Sequence, residues 1–211
     1  MKEIKKELIT KTPLTRLYQL SIPVIGLTGG IASGKSTVSQ IIRNKGIKVV
    51  DADLLVKKIY KEQDSLKFIK SCCSPAIEEN HINFKILREH FFSDPQLKVK
   101  IEQFIYQKLP LVFNLEISSE DKLVFYDVPL LFEKNLQRFF DKTVLIYCSK
   151  ETQLVRLVNR DHISKQLAEK ILTSQIDIEE KKQLADFVID NSQEEKELAE
   201  KVETFLKQVL N

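Results

Sequence analysis

The first regular signal along the chain is a change of hydrophobic period. Val24-Ile25-Gly26-Leu27-Thr28 is a short, mostly apolar run suited to a buried strand, and beyond the glycines that follow, Val38, Ile41 and Ile42 recur at helical spacing. The helix they predict ends near Asn44, because Gly46 is placed to take the left-handed C-terminal position. A second strand over 47–50 runs into Asp51-Ala52-Asp53. From 54 to 118 the pattern is mainly helical and shows no strand of the sheet. Pro75, Asn80 and Ser93-Asp94-Pro95 mark turns there. Phe104, Ile105, Leu109 and Val112 share one helical face, with a bend expected at Pro110, which has no amide to give the helix ladder. Strands follow at 122–127, 143–148 and 187–189, with a charged helical stretch over 151–175 and a closing helix from 192 or 193 to 210. Five strands alternating with helices imply an α/β fold, with a parallel sheet and right-handed crossovers, three layers deep. Residues 1–22 mix lysines with Leu14, Leu17 and Leu20, and leave a docking helix and a loose tail both open.

Between the first strand and the first helix lies Gly29-Gly30-Ile31-Ala32-Ser33-Gly34-Lys35-Ser36, a full match to G-x-x-x-x-G-K-[ST]. Glycines let a loop turn tightly with its amides inward, where they and the positive end of the next helix attract phosphate oxygens. Lys35 would reach the β- and γ-phosphates and Ser36 would complete the shell of a magnesium ion bridging them; Thr37 adds a donor in the first turn. The motif speaks for nucleotide binding and is silent on the second substrate.

Composition narrows the setting. With 211 residues, 43% of them apolar, the chain can bury an ample core as one domain with an inserted or appended subdomain. Its 33 Lys and Arg against 30 Asp and Glu leave a net charge of +3, which points to neither nucleic acid nor a membrane surface and suits an anionic small substrate. Cys72, Cys73 and Cys148 form no zinc pattern, C-x-x-C or even disulfide framework, as expected in a reducing cytoplasm. No apolar stretch approaches the roughly 18 residues of a bilayer span, and 1–12 lacks a signal-peptide core, so a soluble, unexported protein is expected. Its oligomeric state, monomer or small homo-oligomer, is not legible. His81 and His90 have no partner at a useful spacing and receive no role.

Carboxylates at strand ends lie where open α/β sheets bind ligands. Asp51 and Asp53 follow the second strand, and Asp127 ends the strand at 122–127, where an aspartate can hold magnesium or its water shell or simply cap the turn into Val128-Pro129. Arg156 and Arg160 stand four apart on one helical face. They fit either a closing lid whose guanidinium forks clamp a phosphoryl group, or a solvated face paired to Glu151 or Asp161.

Four separated blocks carry a resemblance. Leu27 to Val38 with Asp51-Ala52-Asp53, then Asp127-Val128-Pro129-Leu130-Leu131-Phe132-Glu133, then Gln153-Leu154-Val155-Arg156 with Asn159-Arg160-Asp161, then Ala185-Asp186-Phe187-Val188-Ile189-Asp190-Asn191, resemble in order the dephospho-coenzyme A kinase family. The resemblance implies a three-layer α/β/α P-loop kinase fold with a parallel five-stranded sheet. Its parts would be an N-terminal extension (1–22), a nucleotide-binding core (23–53 and 119–211, lid about 150–176) and a helical insertion (54–118) for the acceptor. It also implies the reaction: transfer of the ATP γ-phosphoryl to the ribose 3′-hydroxyl of dephospho-coenzyme A, the last step of coenzyme A biosynthesis, with Mg2+. The loop residues Gly29, Gly30, Ile31, Ala32, Ser33, Gly34, Lys35, Ser36 and Thr37 would cradle ATP. Lys35 would neutralise developing charge, Asp53 would orient the attacking hydroxyl and accept its proton, and Arg160 and Arg156 would clamp the phosphoryl. Ser36, Asp127 and Asp51 would serve the metal.

The insertion departs from the family pattern. Ile101-Glu102-Gln103-Phe104-Ile105-Tyr106-Gln107 puts Tyr106 at the histidine of L-E-x-I-x-H-P, and Asn83-Phe84-Lys85-Ile86-Leu87 occupies the I-D-R-x-x-L stretch. Gln175 matches, while Ile178 stands where an arginine or polar residue is common. These departures fall on acceptor contacts, not on phosphoryl chemistry. Another small-molecule kinase, for a nucleoside or nucleoside monophosphate, would share loop, lid and sheet, and a nonenzymatic ATP-binding module would share the loop. A regulatory GTPase would carry D-x-x-G and [NT]-K-x-D, whereas Asp127-Val128-Pro129-Leu130 lacks the glycine and the guanine motif is absent.

Overall fold

The computed structural model describes residues 2–193 and 195–211, in two compact units: 2–51 with Ser118–Asn211, and Ala52–Ile117. In chain order the first unit begins with β1 (Val24–Gly29), α1 (Lys35–Asn44) and β2 (Lys48–Asp51). The second holds α2 (Ala52–Tyr60), α3 (Gln63–Cys72), a small hairpin of β3 (Ile77–Glu78) and β4 (His81–Ile82), α4 (Phe84–Ser93) and α5 (Pro95–Asn114). The first then resumes with β5 (Val124–Asp127), β6 (Lys142–Tyr147), α6 (Lys150–Asp161), α7 (Lys165–Thr173), α8 (Ile178–Leu184), β7 (Phe187–Asp190) and α9 (Glu195–Val209).

The sheet is parallel throughout, in the order β2-β5-β1-β6-β7. β1 is central and buried at all six positions, as expected of a strand covered on both faces, which reads as a near-continuous apolar run. Ile25, Leu27, Phe125, Val144 and Ile146 from the strands pack with Val38 and Ile42 of α1 and with Val202, Phe205 and Leu206 of α9 in one core cluster. The chain leaves β1 toward β2 on one side and later fills β6 and β7 on the other. That reversal opens a crevice at the carboxyl ends of β1 and its neighbours, where the phosphate loop begins.

The N-terminal extension is neither a docking helix nor a loose tail. It runs through two short 3-10 turns, Lys6–Leu8 and Leu17–Gln19, and is pinned at both ends. Ile4 bridges Leu210 and is buried against the core, and Lys5 N–H donates to the Val209 carbonyl at 2.9 Å. Farther on, the buried Arg16 guanidinium meets Asp141 just before β6, Nε to Oδ2 at 2.7 Å and Nη2 to Oδ1 at 3.2 Å. Asp141 also accepts the amides of Thr10, Lys11 and Val24, so its charge is fully hydrogen-bonded and ties the extension to the entrance of β1.

Other departures have local causes. The stretch 151–175 is two helices, because His162 takes a left-handed conformation (φ 52°) that ends α6 and the Ser164 side chain then caps α7. The closing helix starts at Glu195, with residues 192 and 193 in bends before it. Pro110 lies within one continuous helix, α5, whose Ile105, Leu109 and Val112 are buried while Phe104 stacks on Phe68 at 4.1 Å. The hairpin β3–β4 turns at Glu79 and Asn80, both at positive φ; its two-residue strands are too short to show an alternation in sequence.

Truncating the buried pair leaves a charge without its partner. Arg16→Ala is expected to lower unfolding stability by about 3–5 kcal/mol, read as a fall in the urea midpoint at unchanged slope. A loss below about 1 kcal/mol would show the extension to be an independent appendage.

Candidate active site

The phosphate loop owes its shape to two backbone positions and a ring of side chains. Gly34 has φ 92°, reserved in practice for glycine, and Ala32 accepts a left-handed φ of 57°. Ser33 N–H closes a turn onto the Gly30 carbonyl at 3.1 Å, and the Gly34 carbonyl accepts Val38 N–H as the first helical bond of α1. The first amides of α1, from Lys35, Ser36 and Thr37, therefore have no carbonyl a turn earlier in the helix and lie at its positive end. Asn191, just past β7, holds the loop from outside: its Nδ2 donates to the Ser33 carbonyl at 2.8 Å.

Lys35 reaches across to β5. Its Nζ bonds Asp127 Oδ1, and the second carboxylate oxygen, Oδ2, accepts from Ser39 Oγ at 2.7 Å. Asp127 is buried, with a side chain 2% exposed against 17% for Lys35, so the carboxylate is the fixed partner and the ammonium the movable one. Ser39 lies one helical turn beyond Lys35 on the inner face of α1, a spacing visible in sequence but without a motif to single it out. Asp51 ends β2 directly opposite Asp127 in the parallel register, which brings two of the expected carboxylates to the same edge of the sheet. Ser36 is exposed in the first turn of α1, and Asp53 is exposed in the first turn of α2, two residues past Asp51. Among the described residues no cluster of three or more His, Cys, Asp or Glu forms a metal cage.

The two arginines have different surroundings. Arg160 forms a bidentate pair with Asp161, Nε to Oδ1 at 2.7 Å and Nη2 to Oδ2 at 2.9 Å, which raises its pKa and holds the Asp161 carboxyl below the usual range. That is the pairing expected of a solvated face, and it leaves Arg160 exposed at the end of α6. Arg156, half-buried one turn earlier, lies by the end of β6, where burial pushes the Cys148 thiol up to about 11 and the guanidinium pulls it the other way.

Three sequence-distant segments thus converge on one loop: β5 through Asp127, the end of β7 through Asn191, and the stretch after α7 through Gln175, whose Oε1 accepts Ile31 N–H at 3.3 Å. The dephospho-CoA kinase family model matches residues 23–197, which takes in all three. The chain belongs to the dephospho-CoA kinase family. A dephospho-CoA kinase of Fusobacterium nucleatum is 40% identical over 189 residues, covering 88% of this chain and 98% of the relative. A Thermus thermophilus crystal structure superposes with a TM-score of 0.81 at 28% identity, over 89% of this chain and 97% of that one. A dephospho-CoA kinase structure from Campylobacter jejuni gives 0.64 at 30% identity, over 88% and 96%. As a kinase of this family the chain is a phosphotransferase, with ATP the implied co-substrate. Residues 2–22 precede the matched span, so the Arg16–Asp141 anchor binds a segment the family model does not cover.

Among the described residues no helix is long and apolar enough to cross a membrane, and the three cysteines are free thiols.

A Cβ on Gly34 would meet strained backbone and collide with Asn191 Nδ2. Gly34→Ala is expected to weaken ATP binding more than about tenfold by calorimetry, in line with a strain of about 1–3 kcal/mol, while far-UV circular dichroism stays that of the native fold. Wild-type affinity would mean that the loop tolerates another shape.

Proposed function

We propose that this chain transfers the γ-phosphoryl of ATP to the 3′-hydroxyl of the adenosine ribose of dephospho-coenzyme A, with Mg2+, in the reducing cytoplasm. What carries the reading is the convergence of separate family blocks on the loop from Gly29 to Thr37. The amides of Gly30, Ala32 and Gly34 and of the first turn of α1 cradle the phosphates, while those of Ile31 and Ser33 are engaged by Gln175 and by the Gly30 carbonyl. Lys35, held within reach by Asp127, supplies positive charge to the group in flight. Asp53 orients the acceptor hydroxyl and takes its proton; an exposed carboxylate is a weak base, so alignment is its larger contribution.

The donor set suits a hard divalent cation. Ser36, Asp51 and Asp127 offer only oxygen, and both Asp127 oxygens already accept protein hydrogen bonds, so Asp127 serves such an ion through its water shell. Bound there with ATP, magnesium neutralises charge on the β- and γ-phosphates. Arg160 and Arg156 clamp the transferred phosphoryl from the lid, which requires Arg160 to exchange Asp161 for phosphate. The residues 52–117 receive the acceptor, and the departures at Tyr106 and at 83–87 mark where this chain's contacts to it differ from other members.

The purified chain with Mg2+ and ATP should convert dephospho-coenzyme A to coenzyme A, followed by coupled ADP release; turnover of a different alcohol with none of this acceptor would refute the substrate. Asp53→Asn should cut kcat by about 10²–10⁴-fold with ATP affinity within about twofold. Should kcat survive, Asp53 is structural and Asp51 takes its place. Arg160→Lys keeps the charge and removes the fork; a kcat equal to wild type would return Arg160 to its pair with Asp161.

A further inference from the structure

The lid helices α6 and α7 leave the sheet and return to it, and each end of that excursion carries a glutamine against the phosphate loop. Gln153, in the first turn of α6, is 3% exposed and donates through Nε2 to the Cys148 carbonyl at 3.1 Å. That bond fixes which way its amide faces and leaves Oε1 against Gly30, where a Cβ would fall on it. Gln175, two residues past α7, accepts the next amide of the loop, Ile31 N–H. The two ends of the lid therefore rest on consecutive residues of the loop.

The second footing is reinforced from below. Ile176 N–H donates to Glu133 Oε1 at 3.3 Å, and the same oxygen lies 2.6 Å from the Nζ of Lys181, whose side chain is wholly buried. A buried ammonium is costly unless paired, so this one is held in a single place, and Glu133 with it. Asp177 caps α8 immediately afterward. The backbone at 175–177 is thus rigid, while a cavity of about 200 Å3, lined by Gly30, Lys150, Gln153, Gln175, Ile176 and Ile178, leaves room between the two footings. Fixed supports with free space between them are what a pivoting segment needs.

We infer that Gln175 is a positioning residue: it registers the lid on the phosphate loop, so that occupancy of the loop by phosphate and placement of the lid arginines are coupled. The inference rests on the phosphotransferase reading above. Gln175 touches no reacting atom, and the amides of the first turn of α1 do not depend on it. Its loss should therefore leave ATP affinity nearly intact and misplace the lid.

Hydrogen exchange of the full chain, read by mass spectrometry with a nonhydrolysable ATP analogue and no acceptor, tests the coupling directly. The analogue should protect segment 150–176 in wild type. Gln175→Ala should bind it within about twofold of wild type and lose that protection, whereas Gln175→Glu, which keeps an acceptor oxygen for Ile31, should retain it. In turnover, Gln175→Ala should lower kcat about tenfold, the effect shrinking below about twofold in an Arg160→Ala background, because a register that serves the arginine has nothing left to place. Protection in Gln175→Ala equal to wild type, its absence in wild type, or full additivity with Arg160→Ala would overturn the inference. A wild type that shows protection but no coenzyme A formation would refute the substrate reading and leave the coupling standing.

Discussion

A phosphate cradle made of backbone amides has to be held open from outside, because amides left to themselves turn toward the nearest carbonyl. That constraint organises this structure. The loop at 29–36 forms one turn of its own, Ser33 onto Gly30, and is otherwise shaped by Asn191 on the Ser33 carbonyl and Asp127 on Lys35, while Gln153 against Gly30 and Gln175 on the Ile31 amide join it to the α6–α7 segment. Each of those residues sits at the carboxyl end of a sheet strand or at an end of the α6–α7 segment. The parallel sheet, by putting the carboxyl ends of β1, β5, β6 and β7 on one edge, is what brings them within reach.

Much of this was legible in the chain. All five sheet strands announce themselves as apolar runs, the inner three, β5, β1 and β6, because both faces are covered, and the phosphate loop is a full motif. Gly46 takes the left-handed turn expected of it, at φ 73°, and the turn expected at Ser93-Asp94-Pro95 is the break between α4 and α5. What escaped was whatever depends on a partner distant in sequence. Nothing in the sequence singles out Arg16 among the charged residues before β1, and only the fold reveals that Asp141 waits for it 125 residues later. Ser39 carries no motif and Lys181 lies in α8, a helix the periodicity does not predict, yet one completes the hydrogen bonding of Asp127 and the other is wholly buried against Glu133. Composition cannot distinguish a solvated lysine from a paired one.

The break between α6 and α7 at His162 shows a different limit. Periodicity over 151–175 is helical on both sides of the break, and a single left-handed residue does not disturb it enough to be seen. The resulting corner turns what would be a straight rod into two helices packed on each other, which lets the segment depart from β6 and come back to α8.

Among the described residues, three largely buried ion pairs divide the labour. Arg16–Asp141 lies at the amino end of the sheet and Glu133–Lys181 by the link from α7 to α8, while Lys35–Asp127 lies at the carboxyl edge. In the first, both side chains are almost wholly buried and the carboxylate accepts from guanidinium and backbone together; in the second, the lysine is wholly buried. Such pairs add little net stability and a great deal of definition, since neither charge can move without losing the other. Lys35–Asp127 differs in that the lysine is partly exposed and its partner is held independently by Ser39. An ammonium that can leave a carboxylate already satisfied elsewhere is the one of the three able to follow a negative charge as it passes. The same reasoning that makes Arg16 and Lys181 anchors supports the proposal that Lys35 is the working cation.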